Sequence, residues 1–94
     1  MQIQLWNALE DGKVEEIRTL LQSKQININQ QNHLGETPLY FACQKGHIDI
    51  VKILLNDKRV SIRKTNKGKT VFDIAKTNNH SEIMKLIKEA DTGK

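Results

Sequence analysis

Cys43 and His47 stand four residues apart, a spacing that puts two side chains on one face of a helix, and a thiol beside an imidazole can make a thiolate nucleophile. His33 and His80 could extend such a pair towards a metal site. Neither chemistry fits the chain. A closed zinc set needs four ligands, and one cysteine is too few for the common spacings. His47 and His80 follow Gly46 and Asn79, both turn formers, so they read as equivalent positions of a pattern. Cys43 then reads as a small core residue. No phosphate-cradling GxxxxGK[ST], GxSxG elbow or HExxH pair occurs, and the glycines are explained by turns. Glu10, Asp11, Glu15 and Glu16 surround one helix–turn–helix as a solvated face, while Asp49 and Asp73 read as surface or local hydrogen-bonding residues. No catalytic residue, metal or cofactor is expected.

The cations are more suggestive. Net charge is +4, yet residues 1–56 hold five Lys and Arg against six Asp and Glu, whereas residues 57–94 hold ten against five. One end of the molecule should therefore be basic. Lys58, Arg59, Arg63, Lys64, Lys67 and Lys69 are six cations in twelve residues with no carboxylate among them. Such a cluster can attract an acidic protein or touch phosphate, and it can equally be a solvated loop that maintains solubility. Aromatics that would stack on single strands are not interleaved with it, which disfavours nucleic acid.

The elements that position these residues are bounded by length. Ninety-four residues make one small domain whose buried fraction is low, and 37% hydrophobic against 28% charged residues suits a thin, elongated fold. Met1 to Gly12 carries Gln2, Gln4, Asn7, Glu10 and Asp11, unlike a signal peptide. No run approaches the roughly 18 apolar residues of a membrane helix, so no membrane insertion is expected. A single cysteine allows no internal disulfide, which points to a reducing compartment, cytoplasm or nucleus; the free chain is expected to be a monomer.

Self-comparison exposes a repeat. Gly35-Glu36-Thr37-Pro38-Leu39-Tyr40-Phe41-Ala42 returns thirty-three residues later as Gly68-Lys69-Thr70-Val71-Phe72-Asp73-Ile74-Ala75, and Ile50-Val51-Lys52-Ile53-Leu54 returns as Ile83-Met84-Lys85-Leu86-Ile87. A backward shift of thirty-four aligns Leu5, Ala8, Gly12, Ile17, Leu20 and Leu21 with Leu39, Ala42, Gly46, Val51, Leu54 and Leu55. Three units result, each with two short antiparallel helices. Thr37 can cap the middle unit's first helix, Pro38 fits its first position, and Gly46 permits the left-handed residue that ends it. Positions 39, 42 and 43 make one apolar face, and 48, 51, 54 and 55 another. The spacing predicts helices near 4–11, 14–23, 38–45, 48–56, 71–78 and 81–89. Glu16 in place of Ile50, and Lys76, Ser81 and Lys88 in place of Cys43, Ile48 and Leu55, are the polar substitutions that end caps need.

With GETPLYFACQKGHIDIVKILL in the middle and GKTVFDIAKTNNHSEIMKLI last, residues 4–89 resemble the ankyrin repeat, whose signature is T-P-L-H-x-A. Tyr40 and Asp73 replace the usual histidine, and the first unit lacks its opening turn. The resemblance implies an all-α solenoid in one domain over 1–94, with units about 4–31, 32–64 and 65–91 and β-hairpins projecting near 24–36 and 57–69. It further implies an adaptor that binds protein through hairpin tips and inner helices and catalyses nothing. Once positions fixed by turns, caps and core are subtracted, the inward-facing candidates are Glu10, Asp11, Gln31, His33, Leu34, Glu36, Gln44, Lys45, Lys67, Lys69, Thr77 and Asn78. Leu34 is an apolar residue at a turn tip; it either packs on the neighbouring hairpin or anchors a partner. An electrostatic binder of nucleic acid or of an anionic surface through residues 58–69 is the alternative.

Overall fold

Local chemistry sets the helix starts. In a computed structural model that describes residues 2–62 and 67–92, the Thr37 hydroxyl oxygen accepts the N–H of Tyr40 at 3.1 Å and Pro38 takes the first helical position. Gly46 ends that helix at φ 77°, in the left-handed region. Thr70 repeats the start more fully: its hydroxyl oxygen accepts from the Asp73 N–H, and the Asp73 carboxylate accepts from the Thr70 N–H. The described residues form six helices, α1 (Gln2–Asp11), α2 (Val14–Leu21), α3 (Pro38–Lys45), α4 (Ile48–Asn56), α5 (Val71–Thr77) and α6 (Ser81–Thr92). α3 and α4 keep the bounds expected from sequence. α1 and α6 extend further, and α2 and α5 stop earlier.

Consecutive helices pair, and the pairs stack in two layers, α1–α3–α5 and α2–α4–α6. Leu5, Leu39 and Ala42 from the first layer and Ile17, Val51, Leu54 and Ile83 from the second are sealed in one core. Ala8, Ala42 and Ala75 recur at 0–1% exposure because the paired helices approach closely there. Ile48 departs from the expected buried face and is 38% exposed. The core face of α4 is centred on Ile50, Val51 and Leu54, and at 3.6 residues per turn Ile48 lies roughly 110° round the helix from that centre.

The connectors carry the short projecting loops that the resemblance implies, and in the first of them the Asn32 N–H donates to the Glu36 carbonyl at 2.9 Å. Among the described residues there is no strand, only an isolated bridge at Lys69. A side-chain amide links one connector to the next. Asn29 Nδ2 donates to the Arg59 carbonyl at 2.8 Å, and Asn29 Oδ1 accepts the Ser61 N–H at 2.8 Å, which joins the first connector to the second. At the far end of the stack an open apolar groove is lined by Ile62, Val71, Phe72 and Ile87, with Lys88 and Asp91 on its rim. The residues corresponding to half-buried Ile62 and Phe72 one unit earlier, Ile28 and Leu39, are at most 2% exposed because the next unit covers them.

Candidate partner-binding surface

The first helix of every pair ends in two residues that the core does not use. Glu10 and Asp11 close α1, Gln44 and Lys45 close α3, and Thr77 with the cap residue Asn78 closes α5, all exposed. Packed helices lie about 8–10 Å apart, so the three pairs form one row across the layer. Thr77 Oγ1 donates to the Asp73 carbonyl and Asn78 Nδ2 to the Ile74 carbonyl, which leaves the third pair partly engaged with its own helix.

The tip of the first connector leads into the opposite, N-terminal end of α3. Asn32 builds the tip: its N–H donates to the Glu36 carbonyl at 2.9 Å, and its Oδ1 accepts the N–H groups of Leu34 and Glu36 at 2.9 and 3.0 Å. Gln31, His33 and Leu34 are exposed, and Leu34 holds 52% of its surface in solvent on this braced turn. Glu36 corrects the sequence expectation. It is only 7% exposed, and its carboxylate accepts from Asn32 Nδ2 at 3.0 Å, so it closes the turn and is not presented to a partner.

The basic cluster is also altered by a pairing across the fold. Arg59 Nη2 meets the Asp57 carboxylate at 2.7 Å and the Leu21 carbonyl at 2.6 Å, while Nη1 donates to the Ser23 carbonyl at 2.9 Å. It ties the end of α2 to the second connector, and its hydrogen bond holds the Asp57 carboxyl below the usual carboxylate range. Lys58, Lys67 and Lys69 are exposed, whereas Arg63 and Lys64 lie outside the described residues. Among the described residues of the cluster, Lys58, Lys67 and Lys69 present their charge to solvent.

The histidines and the cysteine have no common centre. His80 Nε2 lies 3.3 Å from the Gln44 carbonyl oxygen, and its ring covers Gly46, where an added Cβ would come within 2.8 Å. The His47 ring lies likewise against Gly12. Cys43 is buried, and burial pushes its thiol up to about 12, far from a nucleophilic thiolate. Among the described residues no three His, Cys, Asp or Glu side chains converge as metal ligands, and no helix is long and apolar enough to cross a membrane.

Sequence reasoning missed Trp6 and Phe41, because the apolar face it drew on α3 used positions 39, 42 and 43. The Trp6 ring meets Phe41 edge-on, with centroids 5.9 Å apart and planes at 85°. Lys45 Nζ lies 5.5 Å from the Phe41 centroid. A signal was present: all four aromatic residues, Trp6, Tyr40, Phe41 and Phe72, fall on α1, α3 and α5.

A family model described as ankyrin repeats, in three copies, matches residues 5–94. The chain belongs to the ankyrin-repeat family. Ankyrin repeats are general protein–protein interaction modules and are generally not enzymes. The ankyrin repeat-containing protein ITN1 of Arabidopsis thaliana is 39% identical over 83 residues, covering 86% of this chain and 13% of that protein. The putative ankyrin repeat protein YahD of Escherichia coli is 37% identical over 86 residues, 85% of this chain and 42% of its own length. The chain therefore spans less than half the length of these curated relatives. A chain in the solved complex of the Bd0816 predatory endopeptidase from Bdellovibrio bacteriovorus with immunity protein Bd3460 superimposes at a TM-score of 0.81 and 34% identity. The match covers 93% of this ankyrin chain and 45% of that chain.

Proposed function

We propose that this ankyrin chain is an adaptor that binds a protein partner through the first connector tip and the ends of α1, α3 and α5, without catalysing a reaction. The observation that carries this reading is Leu34, an apolar side chain 52% exposed on a turn that the hydrogen bonds of Asn32 hold in shape, with polar Gln31 and His33 exposed around it. A rigid apolar anchor with a polar surround is the arrangement that gives binding energy at modest ordering cost. The solved complex of a similar chain supports a protein as the kind of partner. Lys67 and Lys69 favour an acidic one, and single Cys43 favours a reducing compartment, cytoplasm or nucleus. The three units would run about 4–31, 32–64 and 65–91 in a chain that is monomeric when free.

The exposed cations at the basic end favour a second reading, an electrostatic hold on nucleic acid or another anionic surface, and salt separates the two. With the chain immobilised and its captured protein or a DNA duplex as analyte, affinity for phosphate collapses between about 50 and 200 mM salt, whereas a packed protein interface loses less. Salt-resistant capture of a protein that Leu34→Asp weakens supports the adaptor. Tight duplex binding at low salt, with protein binding indifferent to Leu34→Asp, overturns it.

A further inference from the structure

The geometry points to an acidic peptide segment, carrying one large apolar side chain next to its carboxylates, as the element of the partner that seats on Trp6, Phe41 and Lys45. This rests on the adaptor reading and names the chemistry of its partner. Three observations combine. First, Trp6 and Phe41 are half-buried on α1 and α3 while their neighbours Leu5, Leu39 and Ala42 are sealed, so two stacked units leave an aromatic ledge at their junction. The ledge is fixed: Trp6 abuts Phe41 edge-on, and the Trp6 indole N–H reaches Gln30 Oε1 at 3.4 Å. Second, Lys45 holds its ammonium over the Phe41 ring, 5.5 Å from the centroid. An ammonium so placed keeps donors for a carboxylate while the half-buried Trp6 ring beside Phe41 offers surface to the adjacent apolar group, which joins the two features in one recognition element.

Third, charge changes sign along the layer. Glu10 and Asp11 lie on the first unit, Lys45 on the second, and Lys67 and Lys69 on the approach to the third. A segment laid across the ledge is favoured with its carboxylates towards the third unit and away from the first, so the ledge reads direction as well as composition. A phosphate chain, charged along its whole length, cannot turn its charges away from Glu10 and Asp11, and one ledge cannot stack successive bases.

Trp6 is the only tryptophan, so its emission reports on this ledge alone. The full chain is titrated with four probes: a synthetic Asp/Glu peptide containing one Phe, the same peptide with Ala for Phe, a Lys counterpart with the Phe retained, and a single-stranded oligonucleotide. Trp6 fluorescence and the anisotropy of labelled probe are read together. Saturable binding of the acidic Phe peptide with a shift of Trp6 emission, weakened at least about tenfold by Ala for Phe and by Lys45→Glu, supports the assignment. Phe41→Leu, which keeps apolar bulk while removing the ring, should weaken binding as well, and circular dichroism checks that both variants fold. Equal binding of the Lys peptide or the oligonucleotide overturns it, as does no binding of any peptide. Binding seen by anisotropy without a Trp6 response overturns it too. A captured partner that loses affinity with Leu34→Asp but not with Lys45→Glu or Phe41→Leu sinks the ledge and leaves the adaptor reading standing, whereas indifference to all three removes both.

Discussion

Asn32 decides what the first connector shows to solvent. By taking two N–H groups on Oδ1 and giving Nδ2 to Glu36, it folds the turn so that Glu36 closes inward and Leu34 is left outside. Leu34→Asp should therefore leave stability within about ±0.5 kcal/mol, as substitutions at exposed positions do, and speed dissociation of the captured partner, because an apolar anchor acts after encounter. Reversing Lys67 and Lys69 to Glu should instead slow association, strongly at low salt and less at high salt. Stopped-flow or surface-based kinetics separates the two effects, and equal rates for both variants and the wild type would place binding elsewhere. Leu34 was legible because no repeat position called for an apolar tip. The role of Glu36 was not, because subtraction of core and cap positions says nothing about a carboxylate that bonds within its own turn.

At the scale of elements, Arg59 and the turn histidines do the joining. Arg59 bridges the end of α2 to the second connector, and its side chain is 36% exposed, so after allowance for solvent Arg59→Ala should cost about 1 kcal/mol. Asp57 is held below its ordinary value of 3.8, so its share of stability is fully present above that pH and is lost as pH falls through the lower folded value. The gap in Tm between wild type and Arg59→Ala should narrow below pH 3.8, and a constant gap would mean that the ion pair contributes nothing. Gly46 and Gly68 form a second comparison. Both have φ near 80°, but a Cβ at Gly46 would come within 2.8 Å of the His80 ring, whereas one at Gly68 meets nothing within 4 Å. Gly68→Ala should cost about 1–2 kcal/mol from the left-handed backbone alone, and Gly46→Ala should cost more. Urea melts check the order; His80→Ala in the Gly46→Ala background should recover part of the difference. Thr37, Pro38 and Gly46 made α3 readable residue by residue. The pairing of Arg59 was not legible because Asp57 lies just outside the run of cations, and the contacts of Arg59 at residues 21 and 23 are long-range.

For the molecule as a whole, the repeat is the most legible feature, since two successive shifts bring Leu5, Leu39 and Phe72 into register and imply the two-layer stack. The same shifts cannot show which inward positions remain open, and so Trp6 and Phe41 were passed over as ordinary apolar residues. The stack carries its own weakness. Leu54 is 0% exposed in the α2–α4–α6 layer, and Leu54→Ala should cost about 2–5 kcal/mol against a total of only about 5 kcal/mol for so small a core. That variant should be largely unfolded at room temperature by circular dichroism, and an unchanged Tm would show that the interface between units does not hold the fold. The central claim is that one side of the stack, the connector tip with the ends of α1, α3 and α5, is the binding surface. It is tested most directly by nitrogen-proton correlation NMR of the labelled chain during titration with its captured protein. The account predicts that amide signals of Leu34, Gln44, Lys45, Lys67 and Lys69 shift or broaden first, together with the Trp6 indole. Perturbations confined to the outer surface of α2, α4 and α6 would contradict it.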